Sequence, residues 1–546
     1  MAVDRAIRNR DIWHELTNVD LTGREHERVA PYVTDAEGPV FALTGLPEVV
    51  KGALFARYSR SPKSLRRLLL DEFLPPEADG GARGSREGVG RERAEALYDR
   101  VLAEYGDDSV AQLGGAHIAV EGASNLLTKV LQWGRLASYL EQSTRYIPYT
   151  DRPGGSYRYH RPAAVMAHPE LGPAYARTLD GAFDGYAALL PRMIDHVAAG
   201  LPADATPEAA RARAVRARAL DLLRGLLPAA TTANVGIFAS GQAYEAMLVR
   251  MGAHPLPEAR ECAQRMLVEL RKVIPAFLTR VDRVDRGVAH GEYLSAGDRA
   301  AAELAARLAP AGPTGSEGPV VRLVDFDPDG ESRVLAHALW PASGAPLGDV
   351  RSAIAALGPA ERDEALASWA GTRADRRQRP GRALEATTYA FEVVCDYGAY
   401  RDLQRHRMLT LQAQPLGPAL GYVVPDEVAG AGAGDDYAAL QARCVELHAA
   451  LAPGFPAEAR YAVTLAHRIR FTMTLNAREA MHLIELRSLP QGHESYRAVA
   501  QEMHRQIAEV AGHRAIARMM AFVDASGPGA GRLAAERRQE ARRAER

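Results

Sequence analysis

The chain has 546 residues, 47% of them hydrophobic and 25% charged, and a net charge of −1. That length suits two to four domains, and the near-neutral balance excludes a global field that would draw the chain to nucleic acid or to a membrane surface. The three cysteines, Cys262, Cys395 and Cys444, are far apart and lack metal-ligand spacing, which fits a reducing compartment and gives no disulfide framework. The first residues, Met1 to Arg8, carry charges where a signal peptide needs an apolar core, and no apolar run of about eighteen residues exists. A cytoplasmic protein with no membrane partner is expected.

In chain order, Phe41 to Pro47 reads as a turn before a helix. Ser61-Pro62-Lys63-Ser64-Leu65 reads as a helix start with serine as cap and proline in the first turn, and Leu65, Leu68, Leu69 and Phe73 then recur at helical spacing. Residues 75–93, rich in Pro, Gly and Arg, read as a loop. Glu95 to Leu102 is helical in pattern, an apolar segment runs through Val120, and Ala123 to Leu131 reads as a helix that delivers Gln132-Trp133-Gly134-Arg135 and then Glu141, Ser143 and Arg145. Residues 150–220 read as mostly helical, with Arg211, Arg213, Arg216 and Arg218 forming a solvated face. Arg224 to Pro228 ends that helix. Ser240-Gly241-Gln242 precedes another helix, and a long amphipathic helix is expected from Pro257 to Phe277.

Residues 309–318 read as a linker, and Val320 to Phe326 as a new strand. An apolar run from Tyr389 to Cys395 leads to Gln404-Arg405-His406-Arg407. Two guanidinium forks around an imidazole suit a phosphate or another planar anion, because each fork presents fixed donors and stays charged. An arginine-rich helix end that caps carbonyls would look the same. A Gly-rich loop at 430–435 follows, then Arg460, Asn476, Arg478, His482, Arg487 and a last amphipathic helix. The tail from 525 is polar and arginine-rich.

The two halves repeat one order. Gln132 and Gln404 stand at matching points, 272 residues apart. Ala263-Gln264-Arg265-Met266 matches Ala500-Gln501-Glu502-Met503, and Arg224 and Arg460 precede Arg250 and Arg487 by 26 and 27 residues. Several matches in one order indicate a diverged tandem duplication.

With those residues in view, the sequence resembles the flavin-dependent thymidylate synthase family, whose signature is Arg-His-Arg, seven residues, Ser, one residue, Arg. The first half keeps the back of the signature in Ser143 and Arg145. The second half keeps the front in Arg405, His406 and Arg407, with Pro415 and Gly417 where the serine and arginine would stand. The resemblance implies catalytic roles for Arg405, His406 and Arg407. It implies nucleotide binding by Glu141, Ser143, Arg145, Arg224, Arg460 and Arg487, and flavin binding by Glu385, Asn476, Arg478, His482 and His493, with no metal. The family histidine ahead of that glutamate is absent, the segment reading Arg379-Pro380-Gly381-Arg382.

The implied fold is α+β, with two tandem repeats of the thymidylate-synthase-complementing type, at 1–308 and 319–524, each an antiparallel sheet packed by long helices, and a polar tail at 525–546. The implied activity is reductive methylation of dUMP with FAD, methylenetetrahydrofolate and NADPH. It would take place in a site shared between repeats, with a homodimer standing in for the family tetramer. The alternatives are a flavoprotein acting on another nucleotide or small molecule, and a non-catalytic nucleotide-binding or scaffold protein.

Overall fold

The computed structural model describes residues 21–59, 61–74, 112–201, 208–310 and 320–527, with single positions 94, 531, 534, 537 and 541. Expectations for 75–93 and 95–102, and most of those for the 309–318 linker and the tail, fall outside these residues. The described chain is mixed helix and sheet, as the α+β expectation requires. One sheet has the order β1-β3-β2, with β1 Gly115–Ser124, β2 Ala137–Glu141 and β3 Thr232–Ser240. The other has the order β4-β5-β7-β6, with β4 Val320–Phe326, β5 Thr388–Asp396, β6 Leu409–Ala413 and β7 Arg468–Asn476, all neighbours antiparallel. No described helix is long and apolar enough to cross a membrane.

Both halves use the same joint between strand and helix. β1 runs into α1 (Asn125–Leu131), β3 into α2 (Gly241–Gly252), β5 into α3 (Tyr397–Leu403) and β7 into α4 (Ala477–Arg487). At each joint the last strand residue caps the helix by accepting from the backbone N–H three residues on. Ser124 accepts from Leu127 at 3.0 Å, Ser240 from Ala243 at 3.3 Å, Asp396 from Ala399 at 2.8 Å and Asn476 from Glu479 at 2.9 Å. A short polar side chain in extended backbone satisfies an amide the helix cannot, so Ser, Asp and Asn mark these four points. The caps also set the alignment: Ser240 over Asn476 places Met251, not Arg250, opposite Arg487.

Four expectations shift locally. β1 extends to Ser124, so Ala123 is strand. Ser64, not Ser61, caps the helix at Leu65. The amphipathic helix from Pro257 stops at Val273, because Pro275 cannot continue it, and a 3-10 turn follows at Pro275–Leu278. Arg218 is not solvated: it is half-buried and pairs with Glu427 and Glu494.

The fold divides into two compact units. One comprises Met1–Val120, Leu136–Leu140 and Val235–Ala309, the other Glu121–Arg135, Glu141–Asn234 and Pro310–Arg546. In the first unit the Phe277 side chain packs so closely on the backbone that a Cβ on Gly114 or Gly241 would lie 2.5 Å from one of its atoms. Tyr244, fully buried, satisfies its hydroxyl on the Ala116 and Ile237 carbonyls at 3.0 and 3.2 Å.

In the second unit, β5 and β7 turn Tyr389, Phe391, Val393, Phe471 and Met473 into the core, all 0–1% exposed. Burying each such large side chain contributes roughly 1.5–3 kcal/mol. Gln506, on the helix Glu494–Glu509, bonds β4 like a further strand, donating to Val321 O and accepting from Leu323 N, both at 2.6 Å.

Within this unit the repeats meet through reciprocal hydrogen bonds. Ala229 N donates to Val463 O at 2.7 Å, and Leu465 N donates to Leu227 O at 2.9 Å. Ala230 N donates to Tyr461 O and Ala466 N to Gly225 O, both at 3.1 Å. Each bond maps onto its twin by adding 236 to the residue number, as a local two-fold relation demands. Around the same relation α1 meets α3: Tyr397 Oη donates to Asn125 O at 3.1 Å and Gln404 Nε2 to Lys129 O at 3.0 Å.

Candidate active site

The two-fold relation brings α1 and α3 together, and their polar residues converge on one carboxylate. Glu141, at the end of β2, is buried. It accepts from Lys129 Nζ at 3.1 Å, Gln132 Nε2 at 3.0 Å, Arg401 Nη2 at 2.6 Å and Arg405 Nη2 at 3.1 Å. Lys129 and Arg401 are equivalent positions, 272 apart, while the position equivalent to Glu141 is Ala413. One carboxylate therefore serves both repeats.

The electrostatics follow from that asymmetry. Burial pushes the Glu141 carboxyl up, but Lys129, Arg401 and Arg405 together outweigh it and hold the group well below the usual range. Lys129 has only a share of one carboxylate, so burial wins there and its ammonium falls to about 8, with Arg401 and Arg405 adding to the fall.

A second carboxylate, Asp402, is also buried. Arg224 approaches it at 3.6 Å, Arg405 at 3.8 Å and Arg487 at 3.9 Å. These cations overcome burial and take its carboxyl down to about 2. Arg145 forms a fork with Asp221 at 2.7 and 2.8 Å and donates to Tyr496 Oη at 2.9 Å and Gln491 O at 3.2 Å. Ser143 accepts from the Arg145 backbone at 3.2 Å. His493 takes a hydrogen bond from Ser495 N on Nδ1 and lies 3.4 Å from Asp221 O through Nε2, so its described partners belong to this cluster.

The cluster holds six cations (Lys129, Arg145, Arg224, Arg401, Arg405 and Arg487) against four carboxylates (Glu141, Asp221, Asp396 and Asp402). Among the described residues of this cluster the excess is two positive charges. Arg224 is 3% exposed, yet its Nη2 has no hydrogen-bond partner, and the nearest carboxylate, Asp396, is 3.9 Å away. Neither Nη of Arg487 is hydrogen-bonded among the described residues. A buried donor such as Arg224 Nη2 is costly unless an acceptor arrives. Arg460, the equivalent of Arg224, is half-buried beside Tyr397 and His448 with no ion pair among the described residues.

The second residue group surrounds the start of α4. His406 Nδ1 lies 3.0 Å from Glu479 Oε1, and Arg487 Nε donates to His406 Nε2 at 3.0 Å. The ring of His482 stands 5.2 Å from that of His406. Burial brings His482 down to about 4. Glu385 pairs with Arg382 at 3.1 Å and Arg478 at 3.7 Å, Arg478 also donates to Pro380 O, and the Asn476 side chain is occupied as a cap. Arg376, Arg379 and Arg407 lie around this group without an ion-pair partner among the described residues.

The sequence reading thus names most of the cationic residues but misses Lys129, Arg401, Asp221, Asp402, Glu479 and Tyr496. Their importance lies in partners distant in the chain. Only the 272-residue offset between Lys129 and Arg401 was there to be found.

Comparison with known proteins agrees with the duplicated architecture. The profile of a family described as thymidylate synthase complementing protein matches twice, at residues 58–276 and 323–512. A UPF0159 protein from Chlamydia muridarum is 37% identical over 539 residues, covering 96% of this chain and 99% of its own. A UPF0159 protein from Thermoplasma acidophilum is 31% identical, covering 90% and 98%. Among solved structures, a UMP/dUMP methylase from Streptomyces cacaoi bound with 5-Br dUMP covers 37% of this chain and 96% of its own, at 19% identity and a TM-score of 0.30, too low to bear on the site. With both matches together spanning most of its length, the chain belongs to the thymidylate synthase complementing protein family, as a tandem duplication.

Proposed function

We propose that this chain is a flavin-dependent thymidylate-synthase-like enzyme. It would reductively methylate dUMP, with methylenetetrahydrofolate as carbon source and NADPH as reductant, in one site built from both repeats at 1–308 and 319–524. The observation that carries this reading is the partly buried cluster that holds two more cations than carboxylates among the described residues. A nucleotide monophosphate is close to dianionic and matches that excess. Arg224 and Arg487 have donors to spare and would hold the phosphate. Arg145, already spent on Asp221 and Tyr496, would brace the wall, and Glu141 would orient Arg405.

The flavin side has a fitting donor set. Arg376, Arg379 and Arg407 have no ion-pair partner among the described residues, lie near Glu479 and His482, and would suit the diphosphate of FAD. Bound FAD would supply the hydride for the methyl group. Glu385, Asn476, Arg478 and His482 would border it, while His493 sides with the nucleotide cluster. In this reading two copies of the chain replace the family tetramer.

The test is the visible spectrum of the purified protein, loaded with FAD, before and after dUMP. Flavin bands that shift with dUMP, and NADPH oxidation that depends on dUMP and the folate, are expected. Flavin bands indifferent to dUMP would move the reading to a different nucleotide or small molecule. A protein that takes up no FAD would leave a non-catalytic nucleotide-binding role.

A further inference from the structure

Arg487 is the one cluster arginine whose aim is set by a side chain of the second group. Its Nε donates to His406 Nε2 at 3.0 Å, and its guanidinium lies 3.9 Å from Asp402 and over the Tyr496 ring at 5.5 Å. A guanidinium only donates, so His406 Nε2 must carry a lone pair. The single proton of the neutral ring is then on Nδ1, which faces Glu479 Oε1 at 3.0 Å and donates to it. Burial, reinforced by Arg487, holds His406 well below its usual range, in agreement with a neutral ring. Glu479 is fixed in turn because Asn476 caps its backbone N–H at 2.9 Å.

We propose that Glu479 is a positioning residue: it locks the His406 tautomer, and His406 then aims Arg487 at the nucleotide phosphate. The proposal rests on the nucleotide reading above for its last step only. The hydrogen-bond chain itself stands on geometry.

The same three side chains admit a rival reading. The ligand atoms of His406, Glu479 and His482 all lie within 4.8 Å of one another, a spacing a metal ion could use. A metal on His406 Nδ1, however, would drive the proton to Nε2 and set N–H against the N–H of Arg487. Arg376, Arg379, Arg407 and Arg478 also surround the group, and their charge repels a cation. The hydrogen-bond chain gives His406 Nδ1–H and Arg487 Nε–H an acceptor each, whereas the metal would leave Arg487 Nε–H facing another N–H.

The first repeat supplies an internal control. At the positions equivalent to His406, Glu479, His482 and Arg487 it has Gly134, Ala243, Ala246 and Met251. The whole chain of bonds exists once, on the side where the cations gather.

The experiment uses the full-length protein labelled with ¹⁵N-histidine, together with Glu479→Leu and Glu479→Gln. NMR reads the His406 tautomer, identified by its loss in His406→Ala, and calorimetry reads dUMP and deoxyuridine affinity. The wild type is expected to show Nδ1–H, and E479L to lose it. E479L should weaken dUMP about tenfold or more, the scale of one lost charge-assisted hydrogen bond, with deoxyuridine affinity unchanged. E479Q, whose amide oxygen still accepts from Nδ1–H, should stay within about threefold of wild type. Nε2–H in the wild type would overturn the proposal, as would an E479L protein with tautomer and dUMP affinity both intact. So would cobalt(II) bound with a ligand-field spectrum that E479L abolishes. If the wild type ignores dUMP, the nucleotide reading falls, and the tautomer data alone decide the chain: Nδ1–H lost in E479L upholds it, and Nε2–H sinks it.

Discussion

Lys129 and Glu141 form one ion pair but respond to burial in opposite ways. Glu141 has three cations and is held far down, so its charge is secure. Lys129 shares its carboxylate with Arg401 and Arg405 and drops to about 8. A lysine whose folded value lies below its unfolded one near 10.5 is penalised while charged. The penalty is full below about pH 8 and is relieved as pH rises from there toward 10.5, because only the unfolded chain then keeps the proton. Wild-type stability should therefore gain on the order of 2 kcal/mol relative to Lys129→Met between about pH 8 and 10. Urea unfolding of both proteins across that range checks it, and parallel pH profiles would mean the ammonium is not strained. Arg405 stands out in the sequence as part of the Arg-His-Arg run, and Glu141 and Arg487 enter through the family resemblance. Lys129 does neither, since a lysine on a short helix has no local signature until the fold buries it.

The repeated element is the capped joint between strand and helix. Ser124, Ser240, Asp396 and Asn476 occupy it with different side chains and one bond pattern. Ser240 is the clean place to test it, because among the described residues its side chain bonds Ala243 N and makes no hydrogen bond to a residue of the cluster. Ser240→Ala should cost about 1 kcal/mol, which appears as roughly fivefold faster hydrogen exchange in the first turn of α2. The amides of α4 should not change. Exchange unaltered at Ala243 would show that packing, not the cap, sets that helix start. The same joint explains a slip in the sequence reading. Ala123 and Ser124 look helical because Asn125–Leu131 follows, yet the cap must sit in extended backbone, so the strand owns both.

At the scale of the molecule, the two repeats are related locally by the hydrogen bonds of 225–230 with 461–466. Two-fold symmetry alone would build two equal sites. The residues break it: by sequence position Glu141 corresponds to Ala413, Glu479 to Ala243, and Arg487 to Met251. One dUMP per chain is expected in isothermal titration. Arg145→Ala and Arg487→Ala, one from each repeat, should each reduce affinity at least tenfold, the scale expected for an arginine that binds or braces an anion. Two nucleotides per chain, or loss from only one of the two substitutions, would sink the shared site.

The sequence by itself determined the duplication, the α+β class and the identity of most cationic residues. The duplication and the class rest on local pattern (strand and helix periods, caps, repeated spacings), and the cationic residues on the family resemblance. What only the tertiary structure decided is which half keeps which carboxylate company. Charges are placed by the fold, and a cation of the cluster is defined by partners as many as 351 positions away. That is why Asp402, Glu479 and the unsatisfied donor of Arg224 appear only once the chain is folded.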